Sequence, residues 1–256
     1  MLLGAEHLTI AVPTYNRAAL LEACLRNIAS QTHREFRVVI LDNASSDETP
    51  DIAARFCAGD SRFEHIRRPS NIPALENFAD GLRRAQSPLF IWRADDDLWA
   101  HDYLEKLLST RTVNPASKLV VANTVQQRID GDECEVGGEI PFPGAGASDF
   151  ACMRLLIKST PSWVYGLFER ATLLRVMEQV MFEYAEPWGF DQLVLFYFGL
   201  NNLIAGTNET TFTMRRIEKK NVPVSDVHQF KKGTSVVEKL DFEAMLRERF
   251  YRVGSM

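Results

Sequence analysis

The sequence predicts an α/β fold: a mostly parallel sheet flanked by helices, followed by a smaller mixed part. Short β-rich runs alternate with amphipathic helical runs four times before residue 100, the links between them are short, and polar or acidic residues collect just past the strand ends. Leu8-Thr9-Ile10-Ala11-Val12 is the first strand, and Pro13, which has no N–H for a ladder, is expected to end it. Leu20, Leu21, Cys24, Leu25 and Ile28 recur at helical spacing and predict a helix over 18–30. Arg37 to Leu41 is the second strand, ending in Asp42-Asn43. Ala44 to Pro50 then offers capping hydroxyls, first-turn acids and a proline suited to a helix start, with Ile52, Ala53 and Phe56 on the inner face. Phe63 to Ile66 is the third strand. Asn71-Ile72-Pro73 leads into a helix with Leu75, Phe78, Leu82 and Ala85 inward, and Leu89 to Trp92, bounded by Ser87-Pro88, is the fourth strand.

In parallel sheets of this kind ligands bind beyond the carboxyl ends of the strands. Thr14 to Arg17, Asp42, Asn71 and Asp95 to Asp97 are therefore expected to meet at one crevice. No glycine-rich phosphate loop follows the first strand, which disfavours a dinucleotide oxidoreductase or a P-loop enzyme. What the fourth strand delivers instead is Asp95-Asp96-Asp97. Adjacent carboxylates repel, and some titrate upward unless a cation neutralises them. Their hard oxygens suit Mg²⁺ or Mn²⁺, held by one or two carboxylates together with substrate phosphates. The alternative is a solvated acidic turn capping the next helix, with Asp97 or Asp102 near its N-terminus.

With 256 residues, 46% of them hydrophobic, the chain can bury a sizeable core, and a net charge of −5 argues against a nucleic-acid surface. Cys24, Cys57, Cys134 and Cys152 are widely spaced without a C-x-x-C pair, as expected of reduced thiols in a cytoplasmic protein. Met1 to Val12 lacks the features of a secretory signal. No membrane span is expected, since the longest apolar run, Leu193 to Leu200, is far short of the ~20 residues required. Peripheral association with the inner face of a membrane stays open.

Four segments together resemble a known family. Pro13-Thr14-Tyr15-Asn16-Arg17, Leu41 to Thr49, Asn71-Ile72-Pro73 with Asn77-Phe78, and Ala94 to Trp99 are similar, in order and spacing, to the inverting glycosyltransferases of family two with the GT-A fold. The resemblance covers roughly residues 8–108. It implies transfer of a sugar from a nucleoside diphosphate donor (UDP-, dTDP- or GDP-sugar) to an acceptor hydroxyl, with Mn²⁺ or Mg²⁺. It further implies that Pro13, Thr14, Tyr15, Asn16, Arg17, Asp42, Asn71 and Asp95 contact the nucleotide and that Asp95, Asp96 and Asp97 hold the metal. The chain departs from the family pattern at Ala94, where an acid is frequent, at Asn43, where a second Asp is frequent, and at Pro73, where glycine is common.

Beyond residue 108 the reading is coarser. Ala100 to Leu108 is expected to be helical and Lys118 to Ala122 a strand, while 128–149 reads as a loop or β-excursion. Ser162 to Arg170 is read as a strand returning to the site, followed by a helix over 171–179. Asp191, opening an apolar helix after Glu186-Pro187-Trp188-Gly189-Phe190, matches where the family carries its catalytic base; its alternative role is a helix N-cap, and Glu183 and Glu186 are the other candidate bases. Direct displacement at an anomeric carbon needs such a carboxylate to take the acceptor proton. Trp163 and Trp188 are candidates for stacking on sugar rings or for the core. Thr210 to Arg215 is a late strand, His228 a candidate third metal ligand, and 236–252 a helix for docking, homodimerisation or a membrane surface. The expected organisation is a nucleotide-sugar-binding half, 1–108, and an acceptor-binding half with its C-terminal helix, 109–256, within one continuous domain. The acceptor, whether glycan, lipid-linked or small molecule, is not specified. A sugar-nucleotide pyrophosphorylase, which should carry a glycine-rich loop, and a non-catalytic nucleotide-sugar binding module are the competing readings.

Overall fold

The structure, a computed structural model, describes residues 8–130, 133–136, 161–183 and 189–217. The elements run β1 (Leu8–Thr14), α1 (Ala18–Ala29), β2 (Arg37–Asp42), α2 (Thr49–Gly59), β3 (Phe63–Arg67), α3 (Ala74–Arg84), β4 (Leu89–Trp92), β5 (Leu98–Trp99), α4 (Tyr103–Val113), β6 (Leu119–Asp130) and β7 (Glu133–Val136). A 3-10 turn (Pro161–Tyr165), β8 (Leu167–Glu169), α5 (Arg170–Glu183), α6 (Phe190–Leu200) and β9 (Ile204–Ile217) follow. One sheet orders them β3-β2-β1-β4-β8-β6-β9-β5, with β7 paired to β6. β3, β2, β1 and β4 are mutually parallel. β8 runs antiparallel to both β4 and β6, and β9 is parallel to β6. This is the helix-flanked, mostly parallel α/β sheet expected from the sequence.

Alternation along each strand builds two cores. Leu8, Ile10 and Val12 of β1 meet Leu21, Leu25, Ile28, Ile52 and Leu104 beneath α1, α2 and α4. Ala11 points to the opposite face, where Leu41, Trp92 and Phe168 pack against residues of α3, α5 and α6 such as Leu82, Val176 and Val194. Trp92 stands edge-on to Phe90 and Phe168, and its indole N–H donates to the Phe78 carbonyl at 3.0 Å. Burying side chains of this size stabilises by about 1.5–3 kcal/mol each. That packing, more than local propensity, sustains α1 to α4, in none of which the N-cap residue's own side chain caps the helix.

Four boundaries differ from expectation. β1 continues through Pro13 to Thr14, which pair with Leu41 and Asp42. The Thr14 carbonyl accepts from Asn43 on the β2 side and the Ala11 carbonyl from Arg93 on the β4 side. Pro13 shares Ala11's side, past the last β4 partner Trp92, so its missing N–H costs no ladder bond. The helix expected from Ala100 starts at Tyr103, because Leu98-Trp99 first pair with Thr213 and Phe212 of β9. β6 runs on to Asp130 and turns back through β7, so part of the expected excursion is a hairpin. Ser162 to Arg170 is mostly not a strand: a 3-10 turn occupies its first half and only Leu167–Glu169 joins the sheet.

Gly166 makes that crossing possible. A Cβ placed there would lie 2.6 Å from the Val120 carbonyl oxygen and 2.8 Å from Leu119 Cδ1. Gly166→Ala is therefore expected to destabilise the fold by about 1–3 kcal/mol, read as a lower midpoint in urea unfolding. An unchanged midpoint would mean that the turn and β6 stand further apart than described.

Candidate active site

The ends of β1 and β4 open onto a cleft of about 400 Å³, lined in part by Pro13, Thr14, Tyr15, Arg17, Asp95 and Asp96. Parallel pairing of β1 with both β2 and β4 puts the loops that follow these three strands side by side. Two of the loops turn through left-handed backbone, at Asn16 (φ 51°) and Ala44 (φ 64°). Asparagine tolerates that region and alanine does not readily, so the loop after β2 is held by its partners. Those partners are specific: the Asn16 N–H donates to Ser45 Oγ, and the Ser46 N–H to Asn16 Oδ1. Asp47, one of the acids expected near the start of α2, serves the same junction. Asp47 accepts from the Thr49 N–H, and its other oxygen accepts from the Ala18 N–H at the start of α1.

The triplet divides into carboxylates with different surroundings. Asp95 is nearly buried; its Oδ2 accepts from the Thr14 hydroxyl at 2.9 Å and its Oδ1 from Arg17 Nη1 at 2.8 Å. Asp96, whose side chain is one-third exposed, offers Oδ2 to the same Arg17 Nη1 at 3.0 Å. Asp97 faces β9, where Oδ1 accepts the Arg215 N–H at 2.9 Å. Burial pushes the Asp95 carboxyl upward against the pull of Arg17. Burial likewise drives Asp97 up to about 7, with the Arg215 N–H opposing it and Asp96 adding to it. Asp102 does not cap α4 with its side chain and instead accepts from the Thr210 hydroxyl.

Among the described residues no group of three or more His, Cys, Asp and Glu side chains is arranged to hold a metal ion. Asp95 and Asp96 nevertheless fit a hard divalent cation that draws part of its shell from phosphate: their oxygens are adjacent at the cleft, and Asp95 is a buried carboxylate short of compensation. Asp97 gives Oδ1 to the Arg215 N–H of β9, and His228 lies outside the described residues.

Asp42 ends β2 completely buried. Its Oδ1 accepts the Ser45 N–H, while Oδ2 has no hydrogen-bond partner among the described residues and lies 3.5 Å from His65 Nε2 and Arg67 Nε. Asn71 is exposed and donates to the Asn43 carbonyl. Asn43 itself holds the next loop, pairing both ways with the Ile72 backbone at 2.8 and 2.9 Å. Tyr15 stands 47% exposed at the cleft.

Asp191 lies in the first turn of α6, whose N-cap is Gly189 at φ 81°, so the N-cap alternative does not hold. Its Oδ1 accepts the Gln192 N–H, and burial pushes the carboxyl up. Tyr165, on the cleft wall, ends the 3-10 turn against which α6 packs; burial raises its phenol, and the surrounding aspartates add to the rise. Trp163 is a core residue, and Glu186 and Trp188 lie outside the described residues.

Three contributors escaped the sequence reading. Tyr165 gave no signal beyond an aromatic letter, and Arg215 acts from far along the chain, its N–H on Asp97 Oδ1 and its Nε on the Asp96 carbonyl. Arg93 was visible as a lone cation at the end of an apolar strand. Fully buried, it donates Nη2 to the Asp97 carbonyl at 2.7 Å and to Asn27 Oδ1, and lies 4.6 Å from the centre of the Trp99 ring.

This sheet and cleft are the GT-A arrangement of glycosyltransferases. The structure superposes on Staphylococcus aureus TarS 1–349 in complex with UDP-GlcNAc with a TM-score of 0.65 at 17% identity, covering 95% of this chain and 65% of that one. It matches the mannosyltransferase PcManGT from Pyrobaculum calidifontis, in complex with GDP-Man and Mn²⁺, with a TM-score of 0.55 at 18% identity, covering 81% and 56%. In sequence, residues 9–144 match the model of glycosyl transferase family 2, and the chain belongs to that family. A PGL/p-HBAD biosynthesis glycosyltransferase of Mycobacterium bovis (strain BCG / Pasteur 1173P2) is 32% identical over 126 residues, 49% of each chain. The chain spans a third to a half of the length of the first curated relatives it matches. Among the described residues no helix is long and apolar enough to cross a membrane.

Because the folded-state pKa of Asp97 is raised, the stability its protonated form contributes is present below the unfolded value near 4 and is lost as pH rises through about 7. Asp97→Asn keeps an acceptor for the Arg215 N–H without the charge. It is expected to stabilise the ligand-free protein by about 1–3 kcal/mol at pH 8 and by little at pH 4, measured by denaturant unfolding at both. Equal effects at the two values would contradict the buried-charge assignment.

Proposed function

We propose that the chain is an inverting glycosyltransferase that moves a sugar from a nucleoside diphosphate donor to an acceptor hydroxyl by direct displacement. The observation that carries this reading is that one cleft is lined by Asp95, Asp96, Tyr15, Arg17 and Tyr165, and that the 3-10 turn ending at Tyr165 packs against α6, which carries Asp191 in its first turn. A carboxylate base and a diphosphate-binding edge are the two parts such a displacement needs on opposite sides of the reacting carbon. Asp191 is the base, and burial has already raised its proton affinity toward what proton abstraction requires. Thr14 to Arg17 with Asp42 and Asn71 hold the nucleoside. Tyr15, exposed at the cleft, is placed to stack on the base.

Asp95 and Asp96 would hold Mn²⁺ or Mg²⁺, which when bound offsets the charge developing on the departing diphosphate. Arg17, with guanidinium N–H groups left beyond the one that pairs with the acids, is placed to hold the same diphosphate. UDP-, dTDP- and GDP-sugars are the donor candidates. The solved neighbours, one with UDP-GlcNAc and one with GDP-Man and Mn²⁺, support this range.

The test is calorimetric titration of UDP, dTDP and GDP with and without Mn²⁺, on wild type and Asp96→Ala. Metal-dependent binding of one diphosphate, lost in the variant, is the expected result, and no binding by the folded wild type would end the donor-site reading. With the donor so identified, Asp191→Asn is expected to bind it normally yet lower turnover by roughly 10²–10⁴-fold. Wild-type turnover should fall as pH drops through the raised pKa of Asp191. A variant that retains turnover would remove Asp191 from the chemistry.

A further inference from the structure

Arg17 does more at this cleft than line it. A single nitrogen, Nη1, lies 2.8 Å from Asp95 Oδ1 and 3.0 Å from Asp96 Oδ2, bridging two carboxylates from neighbouring residues. The bridge occupies the same pair of oxygens that a hard cation at this edge would use. Asp95 has no spare oxygen, since Oδ2 already accepts from the Thr14 hydroxyl. Asp96 keeps only Oδ1. The Arg17 side chain is 46% exposed, and among the described residues its other guanidinium nitrogens make no hydrogen bond. Burial works against the Arg17 charge, and Asp95 and Asp96 offset that burial. The backbone of the residue is fixed independently of the side chain, its N–H on Thr49 Oγ1 and its carbonyl on the Leu21 N–H.

We propose that Arg17 is an exchangeable counter-ion: it neutralises Asp95 and Asp96 while the donor site is empty and passes to the diphosphate when the nucleotide enters, freeing the carboxylates for the divalent cation. This inference rests on the metal-assisted reading above and adds a direction to it. Without nucleotide, a cation must displace a guanidinium held by two short charge-assisted bonds and then stand beside its positive charge. With nucleotide, the phosphates offer the guanidinium acceptors of equal charge, and its planar fork suits them better than a lysine ammonium would. Cation and nucleotide are thereby coupled through one side chain, and each binds better in the presence of the other.

The experiment measures Mn²⁺ binding, by the loss of the free-ion electron paramagnetic resonance signal, to wild type and Arg17→Gln, with and without whichever of UDP, dTDP or GDP binds. Glutamine removes the charge and leaves the backbone anchors in place. In the absence of nucleotide, Arg17→Gln is expected to bind Mn²⁺ about five- to tenfold more tightly than wild type, the size expected of a half-exposed ion pair with one buried partner. Addition of nucleotide should then tighten Mn²⁺ binding in wild type by a clearly larger factor than in the variant. Unchanged or weaker Mn²⁺ binding by the nucleotide-free variant, or equal coupling in both proteins, overturns the exchange while leaving metal-assisted transfer standing. Failure of wild type to bind Mn²⁺ even with nucleotide overturns the metal reading itself and the exchange with it.

Discussion

Placing carboxylates at the end of a buried strand is costly, and much of the architecture around β4 answers that cost. A lone buried carboxylate is strongly disfavoured, and three in a row add mutual repulsion. Thr14 and Arg17 reach Asp95 from the end of β1 and the loop beyond it. The Arg215 N–H reaches Asp97 from β9, and Arg93 fastens the Asp97 carbonyl from beneath, held in turn by Asn27 of α1 and the ring of Trp99. Four separate parts of the chain thus converge on one turn. The compensation is incomplete, as the raised proton affinities of Asp95 and Asp97 show, and a site left under-compensated in this way retains an attraction for cations.

The same geometry builds one cleft from distant parts of the chain. The parallel strands bring their loops together on one side, where Asn43 locks the Asn71 to Pro73 segment and Asn16 locks the Ser45-Ser46 segment. These are short polar clamps between loops, so the loops form a single rim. The opposite wall comes from later chain: Tyr165 leaves the 3-10 turn, its carbonyl accepting from the Tyr103 hydroxyl, and its ring stacks on Phe212 of β9. α6, with Asp191 in its first turn, packs against that 3-10 turn.

The first four strands and three helices were legible because their apolar spacing and their punctuation agree. Leu21, Cys24, Leu25 and Ile28 are buried as their spacing requires, and Pro50 sits in the first turn of α2. Legibility ended where partners lie far off in sequence. Three identical letters at 95–97 cannot say which carboxylate faces the cleft, since that depends on an N–H 118 residues further on. Pro13 looked like a terminator because a single strand does not reveal on which side its neighbour stops. The second role of Asp47 was hidden for a similar reason, because the N-terminus it serves in addition to its own belongs to α1.

The antiparallel pairings of β4 with β8 and of β5 with β9 bear on what can be cut from this chain. The segment that carries the family signature, 9–144, contains the acids and the loops, and it looks self-sufficient on paper. It lacks β8, β9, Tyr165 and Arg215, so excision would expose one edge of β4 and leave Asp97 without its backbone donor. Sequence recognition and mechanical integrity therefore have different borders here: the motifs end well before the chain that keeps them in shape.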